Sequence, residues 1–184
     1  GTVCVESVIE KEGWKGVHRI LERPPLTTSE VIHMRYGPVE QQAFPLDNFS
    51  DLIPYDGWIE AWESNLGEFI LYEWLRGYIP DDEARKVAEG WRGDVIKLFR
   101  MTDKWAILWM IRYDNERDAV ALFHYLRKAV ERRFPEGELE GYLKGKRIWW
   151  KIGNSYSFVE RRGVFCAVGI GYSDIPERFM VFER

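Results

Sequence analysis

The sequence predicts an α+β domain in which N-terminal helices pack with an antiparallel sheet and one long helix lies across that sheet. Three observations predict it. Apolar residues recur at helical spacing near the N-terminus (Val5, Val8, Ile9, then Val17, Ile20, Leu21). The stretches 95–113 and 147–170 are rich in aromatic and β-branched residues and are interrupted by turn dipeptides. Between them runs the chain's longest amphipathic pattern, Asn115 to Arg133. With 46% hydrophobic and 15% aromatic residues, the chain is too apolar to stay disordered, and its 184 residues are enough for one substantial core.

Taken in order, the N-terminal pattern reads as two short helices, Val3 to Ile9 and Trp14 to Leu21, with Glu12-Gly13 as the stop between them. Arg23-Pro24-Pro25 ends the second, because proline lacks the amide hydrogen that continues the helical ladder. Thr27 or Thr28 caps a short helical turn through Ile32, with Glu30 in its first turn. From Gly37 to Gly57, three prolines and mixed polarity predict an irregular connection with at most a short strand. This 37–57 stretch is the best internal boundary of what is otherwise a single domain spanning 1–184.

Ser64 or Asn65 is positioned to cap a helix running to about Arg76, which places Leu66, Phe69, Ile70, Trp74 and Leu75 on one face before Gly77 stops it. Asp81 and Asp82 open a further helix that halts near Gly90. Val95 to Phe99 and Trp105 to Tyr113 form an antiparallel pair across a short connection, and Asp114 is the expected cap of the long helix that follows. The tail supplies three strands, Ile148 to Ile152, Tyr156 to Glu160 and Val164 to Ile170, punctuated by Gly153-Asn154 and Arg162-Gly163. Phe179 to Phe182 is a candidate edge strand.

The net charge of −4, with Lys and Arg dispersed among Asp and Glu, argues against nucleic-acid binding, which needs a clustered positive footprint. The short basic runs Arg132-Arg133 and Arg161-Arg162 read as solvated surface. No apolar run approaches the ~20 residues that span a bilayer, so no membrane insertion by this segment is expected. Few amides and many ion-forming side chains point to a thermophilic source. Cys4 and Cys166 lack a CxxC partner and are either two buried small hydrophobes or, in an exported protein, one long-range disulfide. The chain begins at Gly1 and enters an amphipathic pattern at once, as a processed or proteolysed product would.

Motifs that carry chemistry are not found. The three histidines, His18, His33 and His124, have no second His or acid at HExxH spacing, and there is no GxSxG elbow, P-loop or GxGxxG. Gly169-Ile170-Gly171 reads as a turn at a strand end. Glu68 with Glu73, and Asp81 with Asp82, are paired carboxylates, but helix-surface and first-turn placement accounts for them without acid–base chemistry.

Three stretches together carry a resemblance. Gly13-Trp14, followed by Glu22 to His33 (ERPPLTTSEVIH) and Tyr36, resembles the GGW...RPPxSTEQILHPxKY segment of zinc metallopeptidases of bacteria and archaea, an HExxH, gluzincin-like family. Leu66-Gly67-Glu68-Phe69 is similar to that family's LGEFLL helix start. Gly90-Trp91-Arg92-Gly93-Asp94, with Ala106 to Trp109 and Tyr113-Asp114, resembles its GWGGDRY...ALVWRTxWD block. Order and spacing agree over about residues 1–130. The sequence departs from the pattern at Met34, where the family has Pro, and at Arg92, where it has Gly.

In that family the HExxH helix lies upstream of the segment at which this chain starts. The resemblance therefore implies the C-terminal region of a zinc metallopeptidase, without the metal-binding half and inactive alone. It implies zinc only in the missing upstream part, no cofactor in this chain, and the N-terminal portion of the parent as partner. Catalytic and metal residues are expected to be none here, and the motif residues the resemblance singles out are Glu30, His33, Tyr36, Glu68, Trp91 and Asp94. Glu30 and His33 are expected either to organise a loop facing the catalytic half or to stitch a turn locally. The competing reading is a non-enzymatic binding or self-association module, a homo-oligomer, with Trp58, Trp62 or Trp91 forming an exposed contact surface. An independent enzyme with a site outside known motifs is a third reading. Compartment does not follow from the sequence, although the parent could be exported.

Overall fold

The computed structural model describes residues 2–34, 44–54 and 57–172. In chain order these form α1 (Thr2–Glu22), α2 (Thr28–His33), a 3-10 helix (Leu46–Leu52), β1 (Ile59–Ser64), α3 (Gly67–Arg76), α4 (Asp81–Ala88), β2 (Trp91–Met101) and β3 (Lys104–Tyr113). They continue with α5 (Glu116–Arg133), β4 (Glu138–Leu143), β5 (Arg147–Ile152), β6 (Ser155–Arg162) and β7 (Phe165–Tyr172). The fold is α+β: helices precede an antiparallel seven-stranded sheet of order β1-β2-β3-β7-β6-β5-β4, and the long helix α5 lies across it.

The N-terminal pattern breaks where the sequence predicts. Gly13 takes φ 66° and ψ −165°, which no helix contains, and the halves of α1 on either side bend so closely that a Cβ on Gly16 would come within 2.8 Å of Val8. Glycine tolerates this positive φ because it has no Cβ to clash. Val8 is fully buried by the bend.

Helices α3 and α5 lie on the sheet and α4 packs against both of them, while α2 docks on α3. Leu71, Leu75, Ala84, Val87, Leu122, Phe123 and Leu126 from these three helices meet Trp109, Ile111, Ile148, Trp150, Val159 and Val168 from the strands. A buried leucine of this kind contributes about 1.5–3 kcal/mol relative to an exposed one. The opposite face carries an aromatic cluster, Phe99, Trp149, Phe158 and Tyr172, onto which Phe49 and Leu52 of the 3-10 helix pack. The described part of the 37–57 connection is thus helical and seated on the sheet.

The β2–β3 hairpin and β5, β6 and β7 occupy their expected places, and β7 joins the two groups by pairing with β3, Trp109 opposite Val168. Gly169-Ile170-Gly171 lies inside β7, not at a turn, with Gly169 opposite Phe158. The last hairpin turns at Gly163-Val164, one residue later than expected, since Arg162 still pairs with Phe165. Two strands were not foreseen, β1 and β4, and among the described residues both are edges of the sheet. Their side chains face solvent on both sides, so the apolar alternation that marks an interior strand is missing. The cap of α5 is Asn115, not Asp114; its side chain accepts from the Asp118 amide. Phe179 to Phe182 lies outside the described residues.

Candidate functional site

The three stretches that carry the resemblance meet at the N-terminal end of α3. The helix α2 is closed by a capping box: the Thr27 side chain accepts from the Glu30 amide at 3.2 Å, and the buried Glu30 carboxylate accepts from the amides of Leu26 and Thr27. At its other end Met34 has φ 52°, a left-handed conformation. Proline's ring holds φ near −65°, so the family's proline could not adopt this backbone at position 34.

α3 has no cap from its own chain neighbours; neither Ser64 nor Asn65 supplies one. The cap comes from β2. Asp94 Oδ1 accepts from the Gly67 amide at 3.0 Å and Oδ2 from the Leu66 amide at 2.9 Å. The same two oxygens accept from the indoles of Trp91 at 3.2 Å and Trp109 at 2.8 Å. A carboxylate at a helix N-terminus is favoured by the exposed amides and the helix dipole. With four donors on two oxygens, Asp94 is a structural anchor with its acceptor positions occupied. Asn65 adds a bond from its amide to the Asp94 carbonyl oxygen.

Thr28 ties α2 to this end of α3, since its hydroxyl accepts from the Phe69 amide at 3.3 Å. Gly67 is required for that approach. Its φ is +82°, and a Cβ there would sit 2.5 Å from Thr28 Oγ1. One turn on, His33 Nε2 lies 2.8 Å from Glu68 Oε1; Glu68 is 3% exposed, and its second oxygen has no hydrogen-bond partner. The contact fixes the orientation of the imidazole. Among the described residues, no serine, threonine or cysteine is hydrogen-bonded to His33.

The structure thus brings together Glu30, His33, Glu68, Trp91 and Asp94, five of the six motif residues; Tyr36 lies outside the described residues. Trp91 is buried against Asp94 and is no part of an exposed aromatic surface, contrary to the role the binding-module reading offered it. Trp58 is partly buried on the aromatic face of the sheet, and Trp62 is 49% exposed on β1. Arg92, the second departure from the family pattern, donates to the carbonyls of Glu89 and Trp91 and reaches Asp114 at 3.0 Å. It fastens the irregular start of β2 to the loop before α5.

A second polar cluster lies on the other face and was missed in the sequence. Buried Glu160 accepts from Arg147 at 2.7 Å and from Arg162 at 2.6 Å, and Arg162 makes a two-pronged bond to Asp51 at 2.8 and 2.6 Å. Arg162 is therefore not solvated surface as its neighbourhood in sequence suggested. The available signal was the period-two alternation Phe158, Glu160, Arg162, which puts all three on one face. Burial alone would raise the Asp51 carboxyl, but the hydrogen bond and charge of Arg162 outweigh it and hold it below its ordinary value. On the same face Lys97 is buried between Glu60 and Glu63 of β1. Cys166 is a free buried thiol that bonds the Ala119 carbonyl, and burial pushes its pKa well up.

Among the described residues there is no group of three or more His, Cys, Asp or Glu side chains placed to hold a metal ion. Among the described residues no helix is long and apolar enough to cross a membrane. No curated protein and no solved structure matches the chain. The family described as "Domain of unknown function (DUF8575)" matches residues 57–166, more than half of the length, and the chain belongs to that family.

Proposed function

We propose that this chain is the non-catalytic C-terminal part of a zinc metallopeptidase-like protein, inactive alone, and that it acts as a rigid support for the part that holds the metal. The observation that carries the reading is the meeting of Glu30, His33, Glu68, Trp91 and Asp94 at one end of α3. Three stretches separated along the sequence share a resemblance to one family, and they are the stretches the fold brings into hydrogen-bonded contact. The outer surface of the same corner supports a docking role. The packed helices α2 and α3 leave Val31, Ile32, Phe69 and Ile70 exposed, with Leu26 beside them at the start of α2.

The test uses the full gene product and its upstream polypeptide supplied in trans. The upstream polypeptide, carrying HExxH, is expected to co-purify with this chain, and Phe69→Asp with Ile70→Asp is expected to abolish the association while leaving the thermal midpoint of the chain unchanged. A gene product without HExxH upstream, or an upstream polypeptide that does not associate, sinks the reading. The alternative, a non-enzymatic binding or self-association module, retains support from the exposure of Trp62. Its signature is association that survives without any upstream polypeptide and is lost in Trp62→Ala.

A further inference from the structure

On the helix side of the sheet, the end beside the β2–β3 turn carries an apolar surface. Directly opposed residues share a face, and two rows cross the strands there: Ile59, Arg100 and Trp105, then Trp62, Leu98 and Ile107. The next row, through Ile96 and Trp109, enters the core shared with α3 and α5, which fixes the side. Ile59, Trp62 and Trp105 are exposed, and Leu98 and Ile107 are only half-buried. Neither Leu98 nor Ile107 belongs to a buried cluster. Arg100, its guanidinium carbon 5.9 Å from the centre of the Trp105 ring, is the single charge in these two rows.

We propose that residues 173–184 of the same chain cover this face, with Phe179, Met180, Val181 and Phe182 laid over Trp62, Leu98 and Ile107. Three features select this occupant. First, β7 ends at Tyr172 beside the patch. It pairs antiparallel with β3, Ile170 opposite Ile107, and a Cβ on Gly171 would sit 2.5 Å from the Trp105 carbonyl oxygen. Second, the reach suffices. β1 lies three strand spacings from β7, about 14 Å, and residues 173–178 span up to about 20 Å when extended. Third, the chemistry matches. Residues 179–182 are an uninterrupted apolar run, and Glu177 and Glu183 flank it, so an apolar segment meets an apolar face and its acids meet Arg100. Two phenylalanine rings against two exposed indoles supply the buried area that offsets the ordering of the segment. The patch is separate from the α2–α3 corner, and its cover does not depend on the proposed parent. It gives Trp62 a partner within the chain in place of a second copy.

A double-mutant cycle in the 184-residue chain tests it, read by urea midpoint and by tryptophan emission. Phe179→Ala with Phe182→Ala is expected to lower the midpoint and to shift the emission to longer wavelength, because Trp62 and Trp105 gain water. In a Trp62→Phe, Trp105→Phe background the same tail substitutions are expected to leave the emission unchanged. Combined with Trp62→Ala and Trp105→Ala, they are expected to lower the midpoint by less than the sum of the separate losses, since each pair removes the same contact. Tail substitutions that leave midpoint and emission as in the wild type, strictly additive losses, or a lower midpoint without an emission shift overturn the proposal. So does concentration-dependent association of the intact chain that Trp62→Ala abolishes, which would assign the face to a second copy.

Discussion

His33 Nε2 lies 2.8 Å from Glu68 Oε1, joining helices whose sequences are separated by the whole 37–57 connection, and this contact fastens α2 to α3. Glu68 is buried and His33 is partly exposed. His33→Ala strands a buried carboxylate and is expected to destabilise the chain by about 1–3 kcal/mol. Glu68→Gln, whose amide can still bond the imidazole, is expected to cost less. Urea unfolding of both variants and of the double variant measures the coupling; equal costs for the two single variants would count against the pair.

Asp94 bonds two backbone amides and two indoles. Asp94→Asn replaces one acceptor oxygen with a donor that faces an amide and an indole, and is expected to cost about 2–4 kcal/mol. Because Trp91 and Trp109 both lose or change a partner, the native tryptophan emission should shift with the unfolding midpoint. A variant with wild-type midpoint and emission would remove Asp94 from its anchoring role.

Asp51 and Arg162 make stability depend on acid. The folded carboxyl lies below its ordinary value of 3.8. A group depressed in the folded state contributes stability that is complete above the unfolded value and is lost as pH falls through the lower folded value. On acidification from about pH 4 downward, the wild-type chain is therefore expected to lose stability more steeply than Asp51→Asn, with the two curves parallel above that range. Thermal midpoints across the acid range check it.

Cys166 is buried beneath α5 and its thiol is held in the protonated form by burial. In a Cys4→Ser background, a soluble disulfide reagent is expected to modify Cys166 only at the rate of unfolding. Rapid modification under native conditions would show that the α5 side of the sheet opens.

The parts of the fold legible in the sequence were those with a strong period: the α5 stripe, the β2–β3 hairpin, the three C-terminal strands and the break at Gly13. The edge strands escaped because β1 and β4 bury neither face, and the pattern of a strand is the pattern of its burial. The cap of α3 was misplaced for a related reason. Ser64 and Asn65 are good local caps, but Asp94, reached only through the sheet, takes the amides instead. In the candidate site, resemblance named Glu30, His33, Glu68, Trp91 and Asp94, yet spacing alone could not show that His33 meets Glu68 or that Trp91 meets Asp94. The Arg147–Glu160–Arg162–Asp51 cluster was hidden by a sequence neighbour, since Arg161-Arg162 looks like a surface run until strand alternation separates the two side chains.

Metal analysis of the full gene product beside the 184-residue chain, both purified natively, checks the proposal that this chain supports a metal-bearing part and holds no zinc of its own. One zinc per full-length polypeptide, lost when the upstream HExxH histidines are replaced, with none bound stoichiometrically by the chain alone, is the expected result. Tight stoichiometric zinc in the chain alone, or none in either protein, would contradict it.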